Sequence, residues 1–110
     1  MKEVKAYVRP ALSHKVIEAL KNAGVTNLSI VHVKGFGLFE DPQTTQYDAE
    51  FIEQASEMMR LEIICDADDA VRYVSAIQEN AHTGKSGDGA IFVSEIERAV
   101  KIKTGEEGLS

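Results

Sequence analysis

The chain carries one pattern twice: a two-residue alternation of apolar side chains, then a helical stripe, then a second extended run. In the first copy Val4, Ala6 and Val8 alternate with Lys5, Tyr7 and Arg9, the signature of a strand with one buried face. Pro10 ends that strand. Ser13 is placed to cap the following helix, with Leu12 and Ile17 flanking it as a hydrophobic staple. Val16, Leu20 and Ala23 share one helical face, and Gly24 is the natural stop. A second strand is predicted over residues 27–34, β-branched at Ile30, Val31 and Val33. The second copy opens with a strand over 58–65, in which Met59, Leu61, Ile63 and Cys65 point one way. Asp66 can cap a helix lined by Ala67, Ala70, Val71, Val74 and Ile77. A glycine-rich loop, 83–89, leads to a fourth strand over 90–96, and 100–103 reads as a short fifth. The tail, 104–110, is polar and acidic.

Right-handed crossovers fold such a pair of split β-α-β units into a four-stranded antiparallel sheet with both helices on one face. The expected fold is therefore α+β, a ferredoxin-like βαβ-βαβ. A chain of 110 residues holds one such domain, 1–110, and not two. The bare face of the sheet needs a cover, which self-association into a ring of subunits would supply. Between the two copies, residues 35–57 begin Gly35-Phe36-Gly37, contain Asp41-Pro42, are mostly polar and show no sustained period. So long a structureless stretch between well-patterned neighbours reads as a functional loop.

Composition narrows the function classes. With 44% hydrophobic and 27% charged residues, the chain is globular and not disordered. A net charge of −6 and 6% aromatic residues argue against a nucleic-acid surface, including an RNA-reading sheet. No apolar run approaches the ~20 residues that span a bilayer, so any membrane role must act through a partner. Cys65 stands alone, which forbids an intrachain disulfide. Together with the lack of a signal-peptide pattern, this predicts a cytoplasmic protein.

The loop Thr83-Gly84-Lys85-Ser86-Gly87-Asp88-Gly89 is the sharpest chemical feature. Its three glycines let backbone N–H groups turn toward an anion, and Lys85 adds a charge. They serve a tight helix-to-strand connection equally well, so the residues alone leave both readings open. Gly84-Lys85-Ser86 is not the end of a Walker A motif, because Glu79 stands where that motif needs glycine and the loop follows a helix. Gly35 and Gly37 suit either an anion or a hinge. Lys101 and Lys103, two apart, would point the same way in a strand and suit either phosphates or a guarded edge. His14, His32 and His82 have no ligand spacing, and no nucleophile–base set is present. Glu62, between Leu61 and Ile63, reads as a hydrogen-bond acceptor or ion-pair member rather than a catalytic base.

Taken in order, Val33-Lys34-Gly35-Phe36-Gly37, Leu61-Glu62-Ile63, 83–89, Ile91-Phe92-Val93 and Ile102-Lys103-Thr104-Gly105-Glu106 resemble the P-II (PII) signal-transduction family along nearly the whole chain. The resemblance implies a homotrimer of ferredoxin-like subunits with nucleotide sites in the clefts between neighbours. It implies that the loop from about 37 to 57 is the family's T-loop, which contacts a target transporter or metabolic enzyme. Carried over, Gly87, Asp88 and Gly89 would lie against the phosphates, with Gly35, Phe36 and Gly37 closing the other side. Ser29, in place of the usual threonine, would meet the adenine end with Glu62 and Ile64. Lys101 and Lys103 would reach across from the adjacent subunit.

The departures from the family pattern bear on function. Lys101 and Lys103 replace arginines and so lose the planar fork. Ala90 replaces a phosphate-binding lysine. Phe39 and Met58 replace the glutamine and lysine that support magnesium and 2-oxoglutarate. Phe51 replaces the tyrosine that is uridylylated in many relatives, and the flanks of Tyr47 do not match that motif. The expected protein is a divergent PII-like regulator, not an enzyme. It should bind ADP, AMP or ATP, with ADP and AMP competing better against ATP than is usual. Its magnesium requirement is left open. No uridylylation and a weak or absent 2-oxoglutarate response are expected, and a link to bicarbonate or inorganic-carbon metabolism is one role among several. The alternatives are a conventional nitrogen-regulatory PII protein, or a metal-responsive or structural trimer like the cation-tolerance proteins. An acylphosphatase is set aside, because Arg9-Pro10-Ala11-Leu12-Ser13 lacks the glycines of that phosphate cradle.

Overall fold

The computed structural model describes residues 1–34 and 57–108. Its elements run β1 (Lys2–Val8), α1 (Pro10–Asn22), β2 (Ser29–Lys34), β3 (Glu57–Cys65), α2 (Ala67–Ala81) and β4 (Gly89–Glu95). The strands form one sheet in the order β2-β3-β1-β4, with every neighbouring pair antiparallel. This is the α+β, ferredoxin-like arrangement that the doubled pattern predicts.

The core lies between the helices and one face of the sheet. Val4, Ala6 and Val8 of β1 and Leu61 and Ile63 of β3 meet Val16 and Leu20 of α1 and Ala70, Tyr73, Ile77 and Ala81 of α2. Met59 and Cys65 pack against this cluster from β3, and Ile91 from β4. The opposite face holds the alternate residues of the strands. There Tyr7 and Phe92 meet edge to face, with ring centroids 6.1 Å apart.

Several expectations change in detail. Ser13 does not cap α1. The helix begins at Pro10 with Arg9 in the extended N-cap position, because the proline ring presets the helical φ and its missing N–H is not needed there. Ser13 lies inside the first turn and donates its hydroxyl to the Pro10 carbonyl at 2.8 Å. The α1 C-terminus closes as a Schellman turn: Val25 N–H donates to Leu20 O and Gly24 N–H to Lys21 O, each at 3.0 Å, with Gly24 at φ +103°. Arg72 of α2 also donates from Nε to Ala23 O at 2.9 Å, tying the helices together.

Asp66 does hold the N-cap position of α2, but its side chain makes no capping hydrogen bond. Val71 is 71% exposed and does not line the buried face; Tyr73 does, with its ring beneath Arg72. Ala67 is likewise exposed. β2 begins at Ser29 rather than Asn27, because the Asn27 side chain occupies the pairing edge of β3. It donates to Ile64 O at 2.9 Å and accepts from Ile64 N–H at 3.1 Å. Among the described residues no fifth strand forms over 100–103. Val100 makes a single bridge to Glu107, and a tight turn intervenes. Lys101 N–H donates to Glu106 O at 2.9 Å and Gly105 N–H to Lys101 O at 2.8 Å, so Lys101 and Lys103 do not share a strand face.

Candidate functional site

The glycine-rich loop is held from inside by Asp88. Its Oδ2 accepts the Thr83 N–H at 2.8 Å and the Gly84 N–H at 2.9 Å. The Thr83 hydroxyl donates to Oδ1 and in turn accepts the Lys85 N–H at 3.1 Å. Arg9, between β1 and α1, clamps the loop. Its Nε donates to Asp88 Oδ1 at 3.1 Å and its Nη2 to Ser86 O at 2.6 Å. Burial works to raise the Asp88 pKa. The Thr83 hydroxyl and amide, the Gly84 amide and Arg9 outweigh it, and hold this carboxyl far below the usual carboxylate range.

Two glycines make the loop's path possible. Gly87, at φ +92°, lies against the Arg9 guanidinium, and Gly89, at φ +111°, starts β4 directly over the Tyr7 carbonyl. Among the described residues the Gly87 and Asp88 amides take no acceptor, leaving two adjacent donors at the loop. Such a pair of backbone donors beside glycine is an anion-binding arrangement.

The expected nucleotide residues fall into separate groups. Ser29 and Glu62 are cross-strand partners on β2 and β3, and Ile64 lies two residues further along the same face. Glu62 also pairs with Arg60, Oε1 to Nε, at 2.7 Å. The backbone groups of Ile64 are taken by Asn27, which leaves its side chain for contact. Gly87, Asp88 and Gly89 sit at the other edge of the sheet, where Gly89 pairs with Val8. Ser29 and Gly89 are three strands apart, ~14 Å across the sheet and ~10 Å along it by strand geometry. The structure therefore does not gather the two groups at one edge of a single chain. Lys101, half-buried, and Lys103, exposed, lie in the 98–107 turn, which Arg98 and Glu107 close at 2.7 Å. Gly35, Phe36 and Gly37 lie outside the described residues, as does nearly all of the long loop, with Phe39, Tyr47 and Phe51.

Each group adjoins a groove. About 280 Å³ opens beside the glycine-rich loop, lined by Tyr7, Ile77, His82, Asp88, Gly89 and Ala90. Another of about 600 Å³ lies beside Asn27, Ile64, Cys65 and Asp69. Burial there raises the Cys65 thiol pKa, with Asp69 and Asp66 adding to the shift. Ala90 is half-buried opposite Tyr7 and brings no cation to the first groove. Met58 is buried and apolar at the start of β3. Among the described residues no cluster of three or more His, Cys, Asp or Glu is arranged to hold a metal, and no helix is long and apolar enough to cross a membrane.

Sequence reasoning missed Arg9 and Asn27. Arg9 stands at a strand end before proline, where nothing in the local pattern signals a partner 79 residues away. Asn27 reads as part of a strand until the register of β3 is known.

Comparison with known proteins bears on the whole chain. The model of the family described as nitrogen regulatory protein P-II matches residues 1–106. A nitrogen regulatory protein P-II from Bradyrhizobium diazoefficiens is 38% identical, the match covering 99% of this chain and 97% of that protein. One from Rhodobacter capsulatus is also 38% identical, covering 98% of this chain and 96% of its own. One from Azospirillum brasilense is 34% identical with the same coverage. The match spans both halves of the sheet and the glycine-rich loop, and this chain belongs to the nitrogen regulatory protein P-II family of signalling proteins.

Proposed function

We propose that this protein binds an adenine nucleotide, ADP, AMP or ATP, in clefts between the subunits of a homotrimer, and relays occupancy through residues 37–57 to a target transporter or metabolic enzyme. The observation that carries this reading is the loop at 83–89: a rigid turn pinned by Asp88 and Arg9, with the Gly87 and Asp88 amides left to face an anion. The placement of Ser29, Glu62 and Ile64 near one sheet edge and Gly87–Gly89 at the other supports a site shared between copies. In that site the glycine-rich loop takes the phosphates and the β2–β3 edge takes the base. Lys101 and Lys103 approach from the neighbouring subunit, with charge but without arginine's fork.

With Ala90, Phe39 and Met58 in place of polar and cationic residues, the terminal phosphate and the 2-oxoglutarate site lose contacts. ADP and AMP then compete well with ATP, 2-oxoglutarate adds little, and Phe51 offers no hydroxyl for uridylylation. Bicarbonate is the alternative second effector, which would tie the protein to inorganic carbon. A conventional nitrogen-sensing role is the second reading, favoured by the names of the relatives.

Calorimetric titration with AMP, ADP and ATP, each with and without magnesium, 2-oxoglutarate and bicarbonate, distinguishes them. Micromolar binding unaffected by 2-oxoglutarate supports the proposal, and a bicarbonate effect supports the carbon link. Strong synergy between magnesium-ATP and 2-oxoglutarate supports conventional nitrogen sensing. No heat with any nucleotide refutes both. Sedimentation of the same sample tests the trimer.

A further inference from the structure

The loop at 83–89 poses a problem of charge. If it receives phosphates, it does so around a carboxylate, and like charges a few ångströms apart repel. Asp88 is nevertheless needed, because it accepts the Thr83 and Gly84 amides and the Thr83 hydroxyl that give the loop its shape. The Ser86 carbonyl adds a second negative pole. Arg9 meets both, with Nε on Asp88 and Nη2 on Ser86. Its remaining guanidinium donors take no partner among these loop atoms.

The geometry holds Arg9 to this task. A residue before proline is confined to extended backbone, and Arg9 sits at φ −62° and ψ 136°. The pairing of Val8 with Gly89 brings it beside Asp88. The guanidinium also packs against Gly87, where a Cβ would lie 3.4 Å from Nη2, an ordinary contact, so glycine is required there by its φ of +92°. Among the described residues the other basic side chain beside Asp88 is His82, whose Nδ1 at 3.9 Å is beyond hydrogen-bond reach.

We infer that Arg9 is a positioning residue for anion binding: it cancels the Asp88 charge and fixes the Ser86 carbonyl, so that the loop's free amides can take a diphosphate group. This rests on the nucleotide reading above. The ligand class is the phosphate end of ADP or ATP, or pyrophosphate alone.

The test uses full-length protein and the variants Arg9→Gln, Arg9→Lys, Asp88→Asn and the double variant Arg9→Gln/Asp88→Asn. The probes are pyrophosphate, ADP and, as a phosphate-free control, adenosine. Arg9→Gln should weaken pyrophosphate and ADP by about 10- to 100-fold, the range for losing a charged hydrogen-bond partner, and leave adenosine unchanged. Arg9→Lys should recover part of that loss. Loss of Arg9 should cost less in the Asp88→Asn background than in native protein, because no carboxylate charge remains there for it to cancel. A role unrelated to the Asp88 charge would make the Arg9→Gln loss the same in both backgrounds. In ligand-free protein, hydrogen exchange at the Thr83 and Gly84 amides should accelerate in Arg9→Gln while the β1 and β3 amides stay protected. ADP binding unchanged in Arg9→Gln, or an Arg9→Gln loss as large in the Asp88→Asn background as in native protein, overturns the inference and leaves the nucleotide reading intact. Native protein that binds neither ADP nor pyrophosphate overturns both.

Discussion

Among the described glycines, Gly89 is the one where a side chain fits worst. A Cβ there would stand 1.8 Å from the Tyr7 carbonyl oxygen, on backbone at φ +111°. Gly105 shares a positive φ of +74° but opens into free space. Gly89→Ala should therefore cost at least about 2 kcal/mol and shift the β1–β4 register, while Gly105→Ala should cost about 1 kcal/mol. Urea denaturation of the two variants checks this contrast, and equal losses would contradict it. Asp88 makes a second prediction. Its folded pKa is depressed, so its stabilisation is fully present above the unfolded value near 4 and is lost as pH falls through the folded value. The stability gap between native protein and Asp88→Asn should be widest at neutral pH and narrow steadily below about pH 4. A gap that does not change with pH would show that the carboxylate's charge is not what holds the loop.

At the level of elements, the sequence was most legible where periodicity was strong. The alternation of Val4, Ala6 and Val8, and of Met59, Leu61 and Ile63, marks the two central strands, and both bury the expected face. Where a helix has more apolar residues than its buried stripe can hold, periodicity cannot choose among them. In α2 the choice falls on Tyr73, whose ring packs with the core under Arg72, and Val71 is left outside. Tyr73→Ala should lower stability by about 3 kcal/mol and Val71→Ser should change it by no more than about 0.5 kcal/mol. Thermal melts of the pair decide the matter, and a large loss in Val71→Ser would mean that this face is covered in solution. Chain ends of elements were less legible, for stated reasons. Proline at position 10 starts α1 in the very place where it also ends β1, and the Asn27 side chain imitates a strand that the backbone has not yet begun. The glycine-rich loop was legible from its glycines. Its internal clamp was not, because Arg9 and Asp88 meet only once β1 and β4 are paired.

At the scale of the molecule, the sheet displays its chemistry at its edges. β4 begins with the glycine-rich loop at one edge, and β2 with Ser29, backed by Glu62 and Ile64 of β3, forms the other. In the proposed reading each is half of a site, and each adjoins its own groove. The exposed Ile30 and Val31 on β2 and Phe92 and Val93 on β4 leave apolar area at both edges, as a subunit of a larger assembly would. On the proposed trimer, truncating one of these exposed side chains, as in Phe92→Ser, should weaken self-association by about tenfold or more without unfolding the subunit. Sedimentation against protein concentration reads that change, and an unaltered assembly would place the contact elsewhere. The most direct test of a nucleotide shared between edges is to follow backbone amide resonances of isotopically labelled protein during an ADP titration. The Gly87 and Asp88 amides and the Ser29 and Ile64 amides should shift together along a single binding curve. Shifts at one edge alone, or at neither, would contradict a site built from both.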